Sequence, residues 1–542
     1  MRITATVPRW RRFILALLMF TLAQTAGAGG LDPTLLALLA GADAQARLRA
    51  VSQLGQLHDP LATAVLEALD DGNLDVTAQG RILIAGADRS ATDPATGEKL
   101  SLPADADTVI VNNRLRRTVE GVLAESRLFS ADRAMRLAAA RRMQQSGDTT
   151  RVAVIVRALA KEADPQVRGA LEVAQARLEL KSAEPATRKH AVTMLGRTDN
   201  AEFRPVLAGL LARDARGVNV EPDAGVRTAA ALAIKGIDRH TVMLEWLGNL
   251  FYGLSLGSVL LLAALGLAIT FGLMGVINMA HGELLMVGAY VTYVVQWLFQ
   301  RFAPGWLDWY VLAALPAAFL VTAVVGMALE RTVIRWLYGR PLETLLATWG
   351  ISLILMQTVR TIFGAQNVEV GNPSWMSGGV TVLGGLVLSY NRIAIIVFAM
   401  LVVVFVWLLL NHTRLGLFVR AITQNRRMAD CVGVPTGRID MLAFGLGSGI
   451  AGLAGIALSQ LGNVGPDLGQ GYIVDSFMVV VLGGVGQLAG TVIAALGLGG
   501  IDKFLEPYAG AVMAKIAILM LIVLVVQKRP QGLFAPRGRS VE

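Results

Sequence analysis

The sequence predicts an all-α protein in two parts: a helical-repeat unit outside the bilayer, followed by a bundle of helices that cross it. Three observations carry this reading. The chain opens on a short basic and apolar leader, acid-headed helix starts recur down to about residue 240, and charge nearly vanishes from Trp246 onward. Of 542 residues, 54% are hydrophobic and only 16% charged, against roughly a quarter charged in an ordinary soluble domain. Residues 1–240 hold 32 Lys+Arg and 27 Asp+Glu, whereas 241–542 hold 17 and 13, so two solvents are implied.

The leader has a basic head (Arg2, Arg9, Arg11, Arg12), an apolar stretch from Phe13 to Leu22 and a small-residue cleavage site at Ala26-Gly27-Ala28. Its apolar run is too short for a permanent anchor, so residues 1–28 are expected to be a signal peptide and the chain after them to start outside the cytoplasm. The single cysteine, Cys431, lies far downstream, so the exported part is expected to rely on packing and to hold no disulfide.

Residues 29–240 are expected to form a periplasmic helical domain. An acid, two residues, a small apolar residue and an arginine recur at Asp43–Arg47, Asp132–Arg136, Asp164–Arg168, Glu184–Arg188 and Asp223–Arg227, at irregular spacing. The acid suits a helix N-cap, proline suits the first turn, and apolar residues three and four further on make one buried stripe. The pattern resembles HEAT-like repeats, whose helix pairs share a core by stacking. Between the first two starts, Arg81–Ala85, Asp93–Gly97 and Thr108–Val111 alternate β-branched runs with turn residues, which predicts a small hairpin-like insertion. No metal-ligand spacing and no nucleophile–base pair stands out here.

The membrane part is expected over 241–535, with a cytoplasmic tail at 536–542. Residues 246–280 carry no formal charge, and 35 helical residues would reach about 52 Å, well beyond a hydrocarbon core of about 30 Å. A crossing over 247–271 is therefore expected, with a break among Gly272, Gly275 and Gly282 and a second helix over 281–300. Further spans are predicted at 309–329, 343–361, 393–411, 441–461 and 508–527. The Gly-rich stretch 473–505 is either two crossings or a re-entrant pair; both return the chain to one side. Most basic residues (Arg331, Arg335, Arg340, Arg414, Arg420, Arg426, Arg427, Arg438, Lys528, Arg529) then fall on one face, which the positive-inside rule makes cytoplasmic. The basic balance thus reflects topology, and no nucleic acid is needed to explain it.

Three polar features interrupt the apolar half. Asn278-Met-Ala-His281-Gly282-Glu283 places ionisable groups at a helix break, where they either cap a helix at the interface or line a path. Asp475-Ser476 stands in an apolar run ahead of the glycine cluster Gly483–Gly490. The segment 414–435 is basic and amphipathic and ends at Gly433 and Pro435, which suits a lipid-facing helix or a docking surface.

Together with Gly253–Ser258 and Lys528–Phe534, these motifs make residues 245–535 resemble the membrane permeases of branched-chain amino acid ABC importers. Asn463–Phe477 and Lys503-Phe-Leu-Glu506-Pro507 look like the urea importer's permease within that class, as does a long exported extension. The resemblance implies a polytopic permease that moves urea. It implies a heterodimer with a second related permease, two cytoplasmic ATP-binding subunits and a periplasmic substrate-binding protein. In matching positions, Gly416, Arg420, Ala421, Asn425, Ala429 and Gly433 form the coupling loop. No Walker motif is present, so hydrolysis belongs to the partner, and no cofactor is implied. Asn278, His281, Glu283, Asp475 and Ser476 are the candidates for the path, since urea needs fixed donors and acceptors among apolar walls. A permease for branched-chain amino acids is the alternative, and a passive urea or amide channel a further one, although a channel has no use for a coupling loop.

Overall fold

The computed structural model describes residues 31–534 apart from 42, 58, 87–89, 104 and 146–150, so the expected signal peptide and the 536–542 tail lie outside the described residues. The chain divides into two compact units, residues 1–238 and 239–542.

The first unit runs α1 (Pro33–Ala40), α2 (Ala44–Leu57), α3 (Pro60–Asp71), five short strands, α4 (Asn113–Arg127), α5 (Arg133–Gln145), α6 (Val152–Lys161), α7 (Pro165–Glu179), α8 (Pro185–Arg197) and α9 (Arg204–Leu211). The acids of the recurring pattern cap as expected. Asp43, Asp132, Asp164 and Asp223 accept backbone N–H groups two or three residues on at 2.8–3.1 Å. Glu184 departs from this: its longer side chain makes no backbone cap and takes the Thr187 hydroxyl at 3.0 Å.

The pattern's arginines have a role that spacing alone did not suggest. Arg47, Arg136, Arg168, Arg188 and Arg227 each donate to the carbonyl six residues upstream, so every arginine ties its helix to the turn that precedes it. Two of them also clamp the next repeat. Arg136 makes a forked pair with Glu162 at 2.7 and 3.2 Å, and Arg188 with Glu221 at 2.9 and 2.7 Å. The stripes between them make separate cores, one around Leu54, Leu66 and Val119, the others around Met143 and Leu171 and around Leu195 and Ile237.

The expected hairpin is larger than its sequence suggested. Strands β1 (Leu74–Val76), β2 (Ile82–Ala85), β3 (Ser90–Thr92), β4 (Lys99–Ser101) and β5 (Asp107–Thr108) form an antiparallel sheet of order β4-β3-β2-β1-β5. Strands of two to four residues carry too little periodicity to be counted from sequence.

One helix, α10 (Ala224–Met274), carries the chain into the second unit. The helix that holds the expected 247–271 crossing begins further upstream, because good helix formers continue it through Glu245 and Trp246. Beyond it come α11 (His281–Phe302), α12 (Tyr310–Thr332), α13 (Pro341–Phe363), a hairpin of β6 (Gly379–Val382) and β7 (Leu386–Ser389), α14 (Tyr390–His412), α15 (Arg414–Gln424), α16 (Arg426–Cys431), α17 (Thr436–Ser459), α18 (Leu468–Gly483) and α19 (Leu488–Lys528). Among the described residues seven helices are long and apolar enough to cross a membrane, with α18 a shorter apolar one. The 473–505 stretch resolves into α18 and the first part of α19, packed together and turning where Gly483 meets Gly490. Helix α19 is itself broken at Gly510, where φ is 78°.

Glycines set how close these helices come. A Cβ on Gly253 would stand 2.8 Å from Gly500 Cα, one on Gly257 2.9 Å from the Ala495 carbonyl, and one on Gly272 2.6 Å from Gly486 Cα. Helix α10 therefore runs antiparallel against the start of α19, backbone on backbone, as small residues allow in membranes. Helix α17 also packs on α11 and α12 through glycines: Gly455 and Gly452 admit the Leu285 and Ala318 carbonyls, while Gly445 and Gly449 make room for the Met327 and Phe319 side chains.

Arg188 and Glu221 are both largely buried, and the hydrogen bonds from Arg188 hold the Glu221 carboxyl below its ordinary value of 4.5, as those from Arg136 do for Glu162. Their stabilisation is present above that value and is lost as pH falls through the lower folded-state value. The first unit is therefore expected to become protease-sensitive in the intact protein only below about pH 4.5. Arg188→Met, which strands Glu221, is expected to cost about 3 kcal/mol and to bring that sensitivity to neutral pH, read by limited proteolysis.

Candidate functional site

Two helix breaks meet inside the second unit. Helix α10 ends at Met274, and Gly275 turns the chain at φ 64°. Residues 275–280 then run non-helically back alongside α10 to the start of α11. There His281 Nε2 donates to the Ala263 carbonyl at 3.0 Å, a residue about 16 Å back up α10 from Met274. The segment thus returns well into the bundle, where α11 begins with His281 fully buried. Gly282, expected within the break, lies inside α11. Non-helical backbone at that depth survives only where the protein satisfies it. Thr348 of α13, whose own hydroxyl hydrogen goes to the Thr344 carbonyl at 2.8 Å, receives the Met279 N–H at 3.2 Å, while Asn278 Oδ1 takes the Ala280 N–H at 3.0 Å.

The second break, residues 460–467, is built on the same plan. It comes after α17 and leads into α18, whose first turn abuts that of α11: a Cβ on Gly282 would stand 2.5 Å from the Gly469 carbonyl, and one on Gly469 would collide with the Gly282 carbonyl in return. The helices that precede the breaks meet likewise, since a Cβ on Gly447 of α17 would stand 2.7 Å from the Gly266 carbonyl of α10. The connection after α13 and the first turn of α14 hold this break. Val368 and Val464 exchange backbone bonds at 2.8 and 2.9 Å, and Asn391 donates to the Gln460 carbonyl at 3.1 Å.

Around the first break, Asn278, His281 and Glu283 are fully buried. Glu283 Oε1 accepts from Ser352 of α13 at 2.9 Å, but its Oε2 has no partner. Asn278 Nδ2, His281 Nδ1 and the Tyr290 hydroxyl are also unpartnered. Because His281 donates through Nε2, its Nδ1 is an acceptor. Four buried orphan atoms thus lie between Asn278 and Tyr290, with His281 turned toward α10, Glu283 toward α13 and Tyr290 against Phe363. The sequence marked Asn278, His281 and Glu283 as polar residues in an apolar setting, but not Ser352 and Thr348, which bond to this stretch. Both sit in an ordinary apolar helix, with no local signal to mark them.

Asp475 and Ser476 do not join this group. Asp475 turns to Lys515 of α19 at 3.1 Å and lines a different cavity, to which none of Asn278, His281 or Glu283 contributes. Ser476 is buried and spends its hydroxyl on the Tyr472 carbonyl at 2.7 Å.

Elsewhere in the unit, residues 414–435 form two short helices with a shaped base and an exposed top. A side chain on Gly416 would collide with the Leu410 carbonyl, to which Arg420 donates. Ala421 is half-buried, and Ala429 sits in the core beside Ile422 and Val434. Asn425 caps α16 through the Met428 N–H at 2.9 Å, and Gly433 ends the segment at φ 89°. Arg426 pairs with the fully buried Asp440 at the start of α17. Leu417, Met428 and Val432 are left exposed beside Arg420 and Arg427.

Apolar helices interrupted by non-helical backbone, buried polar groups beside one interruption and a structured basic loop suit a transport protein. The chain belongs to the family described as the permease component of the branched-chain amino acid transport system, which matches residues 249–526. It is a transport permease subunit and not an enzyme. The high-affinity branched-chain amino acid permease BraD of Pseudomonas aeruginosa is 30% identical over 295 residues, covering 53% of this chain and 95% of BraD. LivH of Escherichia coli is 28% identical over 297 residues, 54% of this chain and 96% of LivH. The ribose import permease RbsC of the same species is 32% identical over 134 residues, covering 23% and 42%. The family match begins at residue 249, beyond the first unit.

The contact between the breaks and the polar set beside it can be perturbed separately. Gly469→Val, which drives a branched side chain into the Gly282 carbonyl, is expected to abolish stable membrane accumulation, measured by immunoblot of isolated membranes. Ser352→Ala and Glu283→Gln are expected to accumulate normally but to lower solute uptake at least about tenfold, since each alters the buried hydrogen bond between them; uptake unchanged in both would refute a role in the path.

Proposed function

We propose that the chain is the membrane subunit of an ATP-driven importer, with the path running past the joined starts of α11 and α18. The supporting observation is the buried set of orphan polar atoms at the break, in a family of transport permeases. The exposed apolar and basic top of α15 and α16 suits a groove on a cytoplasmic ATP-binding subunit. Gly416, Ala421, Asn425, Ala429 and Gly433 give the loop its shape, and Arg420 offers charge. Two such subunits, a second related permease and a substrate-binding protein outside complete the assembly. The first unit lies outside the inner membrane as a HEAT-like array, and the C-terminus is cytoplasmic.

The cargo we favour is a branched-chain amino acid, the class that two relatives carry in their names across nearly their full length. The urea reading draws no support from these relatives. One observation keeps urea as a second reading: the orphan atoms at the break come from Asn278, His281, Glu283 and Tyr290, with no Lys or Arg to meet a carboxylate. Labelled leucine and labelled urea, offered to cells with and without the chain, decide between them. Uptake of leucine that urea does not compete supports the first reading, and the reverse supports the second.

The docking of the loop has its own test. Leu417→Glu with Met428→Glu leaves the base of the loop intact and places two acids on its top. In purified complex this variant is expected to lose solute-stimulated ATP hydrolysis and to release the ATP-binding subunit in size-exclusion chromatography. Solute flux that continues without nucleotide would instead make the chain a passive channel.

A further inference from the structure

A second polar site lies within the same unit, between α10, α18 and α19. It is a cavity of about 310 Å³, at the small end of ligand-binding pockets. Asp475 and Lys515 pair across it at 3.1 Å, and Lys503 pairs with Glu506 beside them. Asp502 also lines it, and its Oδ1 is buried without a partner. Once the two ion pairs are counted, one carboxylate is left over, and it is the one with the orphan oxygen. That oxygen calls for a cationic N–H donor. Lys515 is half-exposed, so its ammonium keeps N–H donors beyond the one given to Asp475. Its lining also includes the apolar Leu256, Leu260 and Ile518. Charged side chains within apolar membrane helices are costly unless they serve a ligand, a partner or a path.

We propose that this cavity binds a zwitterionic α-amino acid with a branched apolar side chain. The ligand's ammonium meets Asp502, its carboxylate meets Lys515, and its side chain lies against Leu256, Leu260 and Ile518. The site is separate from the break that holds Glu283, and it supplies the carboxylate-binding cation which that break lacks. The inference rests on the amino acid reading of the cargo.

The test uses the intact importer complex in nanodiscs, without the substrate-binding protein, and labelled leucine as the probe. Leucine is expected to bind, and leucinamide, which lacks the carboxylate, and 4-methylpentanoate, which lacks the ammonium, are expected to compete at least about tenfold more weakly. Lys515→Met and Asp502→Asn should each weaken binding by at least about tenfold, with Lys515→Arg restoring part of it. Ile518→Trp keeps every charge and fills the cavity, and should block binding in a complex of normal assembly. Leucine binding unchanged in Lys515→Met and in Ile518→Trp overturns the site. If the wild-type complex still imports leucine in that case, the cargo reading stands while the site falls; if it neither binds nor imports leucine, both fall.

Discussion

A backbone inside a bilayer has no water to bond to, and this chain twice interrupts its apolar helices with non-helical backbone. Everything around the breaks answers that constraint. Thr348 and Asn278 serve the first one, while Val368 and Asn391 serve the second. Two helix starts can then be brought together only if neither carries a side chain at the contact, which is why Gly282 faces Gly469. Helix starts expose unbonded N–H groups and a partial positive charge. Their meeting point, with Asn278 and Glu283 beside it, is a ready place for polar cargo.

The two units solve stability by different means. In the first, water competes for every polar group, so arginines bind carbonyls and carboxylates at the seams, and apolar stripes fill the space between. In the second, apolar surface is covered by lipid as readily as by protein, and close approach through glycine replaces the hydrophobic drive. The change of packing language near residue 240 is the change of solvent that the uneven charge distribution announces.

Sequence legibility tracked the range of each signal. The acid caps at Asp43, Asp132, Asp164 and Asp223 are local, and the pattern showed them. The bonds from Arg136 to Glu162 and from Arg188 to Glu221 join different repeats and were invisible. Charge-free runs placed the membrane helices to within a few residues, except where α10 ran on through Trp246. Asn278, His281 and Glu283 stood out as polar residues in an apolar setting. Ser352 and Thr348 did not, because a hydroxyl that can bond its own helix is unremarked in a membrane span. Asp475 also stood out, but its partner Lys515 lies 40 residues away, and only the fold shows that the pair faces a separate cavity.

The basic loop of residues 414–435 is fastened at two points to two different helices. Gly416 and Arg420 lock its beginning onto Leu410 at the end of α14, and Arg426 locks its middle onto Asp440 at the head of α17. A load applied to its top is therefore shared between those helices, as force on a crossbar is shared between two posts. One of the posts, α17, runs unbroken from that anchor to the residue before the second break. A tilt imposed at the loop is delivered along α17, without an intervening hinge, to the edge of the second break.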